Sequence, residues 1–397
     1  MPLNQQHRWK VLAAGVGANV SFSCVVGGVP ATAVYLRSSY QLSNSELGLA
    51  LGILGLGIAV SEIPWGLLTD RWGDRPVLLT GLLSAALSLL LLAAFAGHAP
   101  TALGLCLGLF ATGVLGSSVN GASGRAIMLW FQERERGLAM SIRQTAVPSG
   151  YALGAIVLPW LAHTYGFSAV FAAAAALCLL CSGLVWRWIH EPEIAQAKPA
   201  LKRVSPLRDL NVWRAVLAIS LLCAPQFTLV TYAVVFFHDG VGLSVATASL
   251  ALAVIQAGAI VGRLWSGHWT DQRNNRPTFL KACALFSAAA FLGLSIASGV
   301  LPMPSALASV VLPVVLIVAG TLVSIWHGVA YAELATLAGA QRSGTAIAMG
   351  NSGAFLGLFL APLVASAAVS QWGWGALWAL CALCALMAAL LFAVQNR

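Results

Sequence analysis

The chain has 397 residues, of which 59% are hydrophobic and only 8% charged, with a net charge of +9 and a mean hydropathy of +0.86. A soluble domain carries roughly 25% charged residues, and a surface this apolar aggregates in water but is solvated by a bilayer. The composition excludes a soluble protein, and the long apolar runs without alternation exclude membrane strands.

Spans of about 20 or more apolar residues, enough to cross roughly 30 Å of hydrocarbon, recur between short polar breaks. The polar start, Met1 to Lys10, leads into helix 1, about Val11 to Leu36. That run is too long for a signal-peptide core and is read as retained. Helices 2 to 6 are expected over Ser45–Thr69, Val77–Phe95, Ala102–Phe131, Gly137–Ala162 and Ser168–Trp188. A polar segment, Ile189 to Asn211, carries Pro192, Pro199 and Pro206 with Lys198, Lys202, Arg203 and Arg208, and reads as a linker. Helices 7 to 12 follow near Val212–Phe237, Ser244–His268, Thr278–Ser298, Ser305–Leu334, Gly344–Val369 and Trp374–Val394. The expected fold is all-α, twelve transmembrane helices in two pseudo-symmetric bundles. Residues 1–188 form the first bundle, 189–211 a cytoplasmic linker and 212–397 the second.

A repeat supports that division. Leu42 to Pro76 lies over Leu243 to Pro277 at a shift of 201, and the closing turns share Gly66/Gly267, Thr69/Thr270, Asp70/Asp271, Arg75/Arg276 and Pro76/Pro277. A repeat of about half the chain, each copy ending in a charged hairpin between apolar helices, is the mark of a duplicated membrane protein. Alternate breaks place seventeen Lys and Arg on one side and Arg37 alone on the other. The positive-inside rule makes the crowded side cytoplasmic, with both termini there, in the inner membrane. The net charge is thereby explained by topology, and no nucleic-acid partner is needed.

The segment Gly66-Leu67-Leu68-Thr69-Asp70-Arg71-Trp72-Gly73-Asp74-Arg75 resembles the helix 2–3 loop signature of the major facilitator superfamily, G-x-L-x-D-R-x-G-R-R, with Asp74 in place of a basic residue. The degenerate copy after helix 8 fits the same family. The resemblance covers essentially the whole chain and implies two six-helix bundles rocking about a central cavity, not an enzyme. Physically, Gly66 and Gly73 let helix 2 approach a neighbour and the turn close. Asp70 can cap a helix of the opposite half or pair with an arginine. Gly66, Asp70, Arg71, Gly73, Arg75, Gly267, Asp271 and Arg276 are thus candidate gating residues. The alternative is that the charges only set topology.

Charges inside spans are costly and usually line a cavity or pair with one another. Five remain: Glu62, Arg125, Arg143, Arg263 and Glu333. Arg143 and Arg263 lie at similar depth on helices 5 and 8, which the resemblance packs across the seam between halves. Two cations in a low-dielectric cleft repel unless an anion lies between them, and a bidentate carboxylate suits them.

Gly124-Arg125, Trp130-Phe131 and Glu133 to Gly137 resemble the helix 4–5 region of anion:cation symporters. In those organic-anion carriers that arginine matters for transport. Phe131, Arg134, Arg136, Leu138, Ala139 and Gly150 fit the same stretch of monocarboxylate transporters, whose helix 8 Gly262-Arg263 and Gly267 resemble. The departures are Ala259, where that helix has an acid, and a helix 1 without charge or signature. Glu62 stands where nitrate carriers have an arginine. Pro148, Ser149, Gly150 and Gly154 hint at the helix 5 pattern of drug antiporters.

Asn120, Gln144, Gln256, Tyr232, Tyr331 and Asn351 are further candidates to bind cargo, and Ser123, Gln226 and His327 also interrupt apolar runs. Gln256 and Arg263 are seven apart and so share a helix face. Glu62 and Glu333 are the candidate proton carriers. All five membrane charges lie in the cytoplasmic halves of their helices, so an inner salt-bridge gate without cargo contact is the competing reading. The Cys178/Cys181 and Cys381/Cys384 pairs lack histidine partners and suggest no metal. No nucleotide-binding loop appears, so no cofactor is expected and transport draws on gradients. The sequence reads as a monomeric carrier of a small organic anion, a carboxylate, by proton symport or anion exchange. The rival is a proton-driven exporter of drugs or amphipathic metabolites.

Overall fold

The computed structural model describes residues 5–98, 101–190, 205–301 and 305–393. Its helices follow the expected order. In the first half, α1 is Gln5–Ala31, extended by the short helix Ala33–Ser39; α2 is Asn44–Trp72, α3 Asp74–His98, and α4 is Ala102–Gly116 plus Ser118–Trp130. Helix α5 opens with Arg136–Gln144 and runs on into Ala146–Trp188, where Gly166 separates it from α6. In the second half, α7 is Leu210–Val235, α8 Val245–Arg273, α9 Arg276–Val300 and α10 Ala308–Leu322 plus His327–Ala338. Helices α11 and α12 share Ser343–Ala393, broken at Gly373.

Eleven stretches among the described residues are long and apolar enough to cross a membrane. One of them, Glu133–Trp188, has 56 residues, which at about 1.5 Å per residue is far longer than one crossing of roughly 30 Å. Its break at Gly166 makes two crossings, so the twelve expected spans are present. Residues 191–204 of the expected linker lie outside the described residues; Pro206–Arg208 forms a 3-10 turn before α7.

The repeated sequence builds repeated structure. Ser43 caps α2 by accepting from the Glu46 amide at 3.3 Å, and Ser244 caps α8 by accepting from Thr247 at 3.2 Å. The turns that end these helices use Gly73 at φ 89° and Asn274 at φ 47°, positions where a residue without a branched side chain is tolerated. The hairpins α5–α6 and α11–α12 turn on Gly166 (φ 77°, ψ −179°) and Gly373 (φ 78°, ψ −178°). That region is essentially glycine-only. Nothing lies within 4 Å of a Cβ added at either position, so the cost of substitution is backbone strain alone. Gly166→Ala and Gly373→Ala are each expected to destabilise by about 1–3 kcal/mol, read as a fall in melting temperature of the purified protein. An unchanged melting point in both would refute this account of the hairpins.

Besides helix 1, which breaks at Thr32 where Oγ1 donates to the Val29 carbonyl at 2.7 Å, three spans expected to be continuous are interrupted. Helix α4 breaks at Ser117, whose Oγ bonds the Ser61 hydroxyl at 2.7 Å and the Val114 carbonyl at 3.2 Å. Helix α5 breaks at Thr145, whose Oγ1 donates to the Ile142 carbonyl at 2.7 Å. Helix α10 breaks between Leu322 and His327, where the Trp326 indole donates to the Val323 carbonyl at 2.7 Å. In each case a side chain takes a local backbone group that a continuous helix would use. Apolar periodicity does not register this competition.

Across the seam, α2 packs on α11 and α5 on α8. A Cβ at Gly66 would lie 2.5 Å from Cβ of Ala348 and 2.9 Å from the Gly344 carbonyl. One at Gly267 would lie 2.6 Å from the Gly137 carbonyl. Small residues let these backbones approach in a setting where apolar burial itself drives little association.

Candidate functional site

The basic face is closed by two matched carboxylates. Asp70, at the end of α2, accepts from the amides of Gly344 (3.0 Å) and Thr345 (2.9 Å) and from Thr345 Oγ1 (2.5 Å), at the first turn of α11. Asp271, at the end of α8, accepts from the amides of Gly137 (3.0 Å) and Leu138 (2.8 Å), at the first turn of α5. Each carboxylate therefore caps a helix of the opposite half, where free amides and the helix dipole favour negative charge. Caps of this kind contribute about 0.5–2 kcal/mol each.

Arg276 braces the second clamp, donating to Asp271 and to the Glu133 carbonyl at 2.8 Å each. Arg125 braces the first, pairing with Asp74 at 2.9 Å and lying 3.5 Å from Asp70. Arg75 instead stays within its own half, 4.3 Å above the Trp186 ring and donating to the Trp186 carbonyl at 2.8 Å. Arg71 lines a crevice of about 390 Å³ with Arg125 and Arg342.

Behind these clamps, on the side away from the basic face, lies a cavity of about 100 Å³ between the halves. Helices α4 and α5 contribute Asn120, Arg143, Gln144, Val147 and Tyr151; α1 contributes Asn19. From the other half come Cys223, Gln226, Phe227 and Val230 of α7, and Gln256 and Arg263 of α8. His327 and Tyr331 of α10 and Asn351, Phe355 and Leu358 of α11 complete it. Polar amides and phenols alternate with apolar side chains around the two arginines.

Arg143 and Arg263 are both buried. Arg143 donates from Nε to Ser123 Oγ at 3.0 Å and from Nη2 to the Asn120 carbonyl. Arg263 donates from Nε to the Ser324 carbonyl at 2.8 Å and from Nη1 across the seam to the Gln144 carbonyl at 2.8 Å. Ser324 lies in the break of α10, and Asn120 follows the break of α4. The interrupted helices thus present oxygens that hold the two guanidinium groups. All four acceptors are neutral, and among the described residues no carboxylate hydrogen-bonds to either cation. Glu62 is fully buried beside them. It accepts from Asn120 Nδ2 at 2.5 Å in its own half and from Asn351 Nδ2 at 3.3 Å in the other.

The structure therefore brings together Arg143, Arg263, Asn120, Gln144, Gln256, Tyr331 and Asn351 of the expected cargo residues. It separates from the cavity the other two, Arg125 and Tyr232, and also Glu333, a candidate proton carrier. Arg125 is a correction: its guanidinium is taken up by Asp74 and Asp70 at the closed face. Asp74, the departure from the loop signature, supplies that pairing. Tyr232 faces Trp374, ring centroids 6.4 Å apart. Glu333 is buried on α10 but is not among the cavity's lining residues. Asn19 and Tyr151 line the cavity and were not anticipated. An amide within the apolar run of helix 1 was the available signal for Asn19, and the spacing Arg143, Val147, Tyr151 for the tyrosine.

The sequence profile of the Major Facilitator Superfamily matches residues 15–334. An uncharacterised MFS-type transporter of Mycobacterium tuberculosis (strain CDC 1551 / Oshkosh) is 29% identical over 98% of this chain and 85% of that protein. The "Probable galactarate/D-glucarate transporter GudP" of Escherichia coli (strain K12) is 28% identical over 39% of this chain and 38% of its own. Among solved structures, the MFS transporter FucP in its outward conformation superposes with a TM-score of 0.78 at 15% identity, covering 97% of this chain and 98% of that one.

Proposed function

The chain belongs to the Major Facilitator Superfamily and is a multi-pass membrane transporter, and we propose that its cargo is a small organic anion, a carboxylate. The observation that carries this reading is the pair Arg143 and Arg263. Helices of opposite halves bring these two cations into one cavity, held by neutral oxygens. Two buried cations with no carboxylate hydrogen-bonded to either are costly to assemble, and an anion between them offsets their repulsion and accepts bidentate, charge-assisted hydrogen bonds. The partial likeness to a protein named for two sugar diacids points the same way.

With the basic face taken as cytoplasmic in a bacterial inner membrane, the Asp70 and Asp271 clamps shut the cytoplasmic side of the cavity. Alternating access then consists of breaking both clamps while the halves rock about the bound anion. Glu62, tied by Asn120 and Asn351 to both halves, is the proposed carrier of a coupling proton; obligatory anion exchange is the other drive.

A thermal-shift screen of the purified protein tests the cargo. A ligand at about 100 times its Kd stabilises the folded state by ~2.7 kcal/mol, so mono- or dicarboxylates are expected to raise the melting point. If every carboxylate leaves it unmoved while hydrophobic cations raise it, the anion assignment is wrong and the exporter reading takes its place.

A further inference from the structure

We propose that the transported carboxylate carries hydroxyl groups on its carbon chain, read by Asn19 and Gln226 from opposite halves of the cavity. This rests on the anionic-cargo reading above. Asn19 on α1 is 1% exposed and Gln226 on α7 is 8% exposed, and both line the cavity. The Asn19 side chain uses its oxygen, Oδ1, to accept from Ser23 Oγ at 3.4 Å. Among the described residues no group accepts from its Nδ2, and none donates to Oε1 of Gln226. Helices α1 and α7 are the first of each half, so the two unfilled amides are presented by equivalent elements.

A buried polar group without a partner costs about 1–3 kcal/mol, and folded proteins leave few of them. Two in one cavity, one a donor and one an acceptor, define what the ligand must bring. A second carboxylate can accept from Asn19 but repels the Gln226 oxygen. An ammonium group can donate to Gln226 but cannot accept from Asn19. A methylene does neither. A hydroxyl group both donates and accepts, and it satisfies an amide whichever way the amide is turned. The other two asparagines that face the cavity, Asn120 and Asn351, are occupied by Glu62. The arginines hold the carboxylate, and Asn19 and Gln226 read the chain beyond it.

The test is a pair of ligand series on the purified full-length protein: propionate, lactate and glycerate, then succinate, malate and tartrate. Within each series charge and carbon number are fixed and the hydroxyl count rises from none to two. At least one series is expected to bind roughly 10-fold or more tighter at its hydroxylated end, because a site built to hydrogen-bond a hydroxyl discriminates against the analogue that lacks it. Asn19→Val and Gln226→Leu are expected to pull that ratio toward unity. Equal affinity along both series in the wild-type protein overturns the hydroxyl assignment while leaving the anion intact, and this arm needs no variant to fold. A ratio that survives in both variants overturns the roles of Asn19 and Gln226. Failure of all six acids to bind overturns the anionic cargo itself.

Discussion

Arg263→Ala is expected to lower kcat/KM for carboxylate uptake into proteoliposomes by roughly 100-fold or more, since each charge-assisted hydrogen bond contributes about 1.5–3 kcal/mol and tenfold in rate is about 1.4 kcal/mol. The guanidinium faces the cavity and at the same time ties α8 to the Gln144 carbonyl of α5 and to the break in α10. Lysine keeps the charge but not the planar fork that meets two carbonyls and an anion together. Arg263→Lys should therefore recover part of the binding and little of the turnover. Arg143→Ala is expected to match Arg263→Ala in direction. The double variant should be far from additive, because both cations serve one ligand.

Arg125→Ala provides the contrast. It leaves Asp74 buried without its cation, so it should lower the melting point without raising KM for the carboxylate. Uptake that persists within about 2-fold in both Arg143→Ala and Arg263→Ala, a difference of only ~0.4 kcal/mol, would sink the arginine pair as the anion site.

Much of this arrangement was legible in the chain. The 201-residue shift aligned Asp70 with Asp271, and both prove to cap a helix across the seam. Helical periodicity also separates the cavity residues from their neighbours. Gln256 and Arg263 are seven apart, His327 and Tyr331 four apart, and each pair shares a face. Arg125 is five positions from Asn120, and Glu333 two from Tyr331, which turns each toward a different side of its helix. The same spacing rule, extended to these two residues, places both outside the cavity.

What the pattern did not carry is set by competing local bonds. Ser117, Thr145 and Trp326 break helices through side-chain hydrogen bonds that leave the apolar periodicity unchanged. The carbonyl of Ser324 that holds Arg263 is available because α10 is broken there. Nor does a lone asparagine in a 27-residue apolar helix announce that its Nδ2 has no partner, since that depends on what α1 faces.

Glu62→Gln is expected to abolish proton-driven accumulation while sparing exchange. The wild-type carboxylate accepts from Asn120 in one half and Asn351 in the other, so its charge state acts on a contact that must break when the halves rock. Glutamine keeps the size and one amide contact but can neither take up nor release a proton. In proteoliposomes, uptake driven by an imposed inward proton gradient should fall roughly 10-fold or more. Counterflow of labelled against unlabelled carboxylate should remain within about 3-fold of wild type, because exchange needs no net proton movement and ~0.7 kcal/mol covers the altered contact. The two measurements separate the possible roles. If driven uptake and counterflow fall together, Glu62 is a structural tie between the halves. If neither changes, Glu62 carries no coupling proton, and the drive is anion exchange or a proton held elsewhere. Only the split result makes Glu62 the point at which the proton gradient acts on the two-arginine cavity.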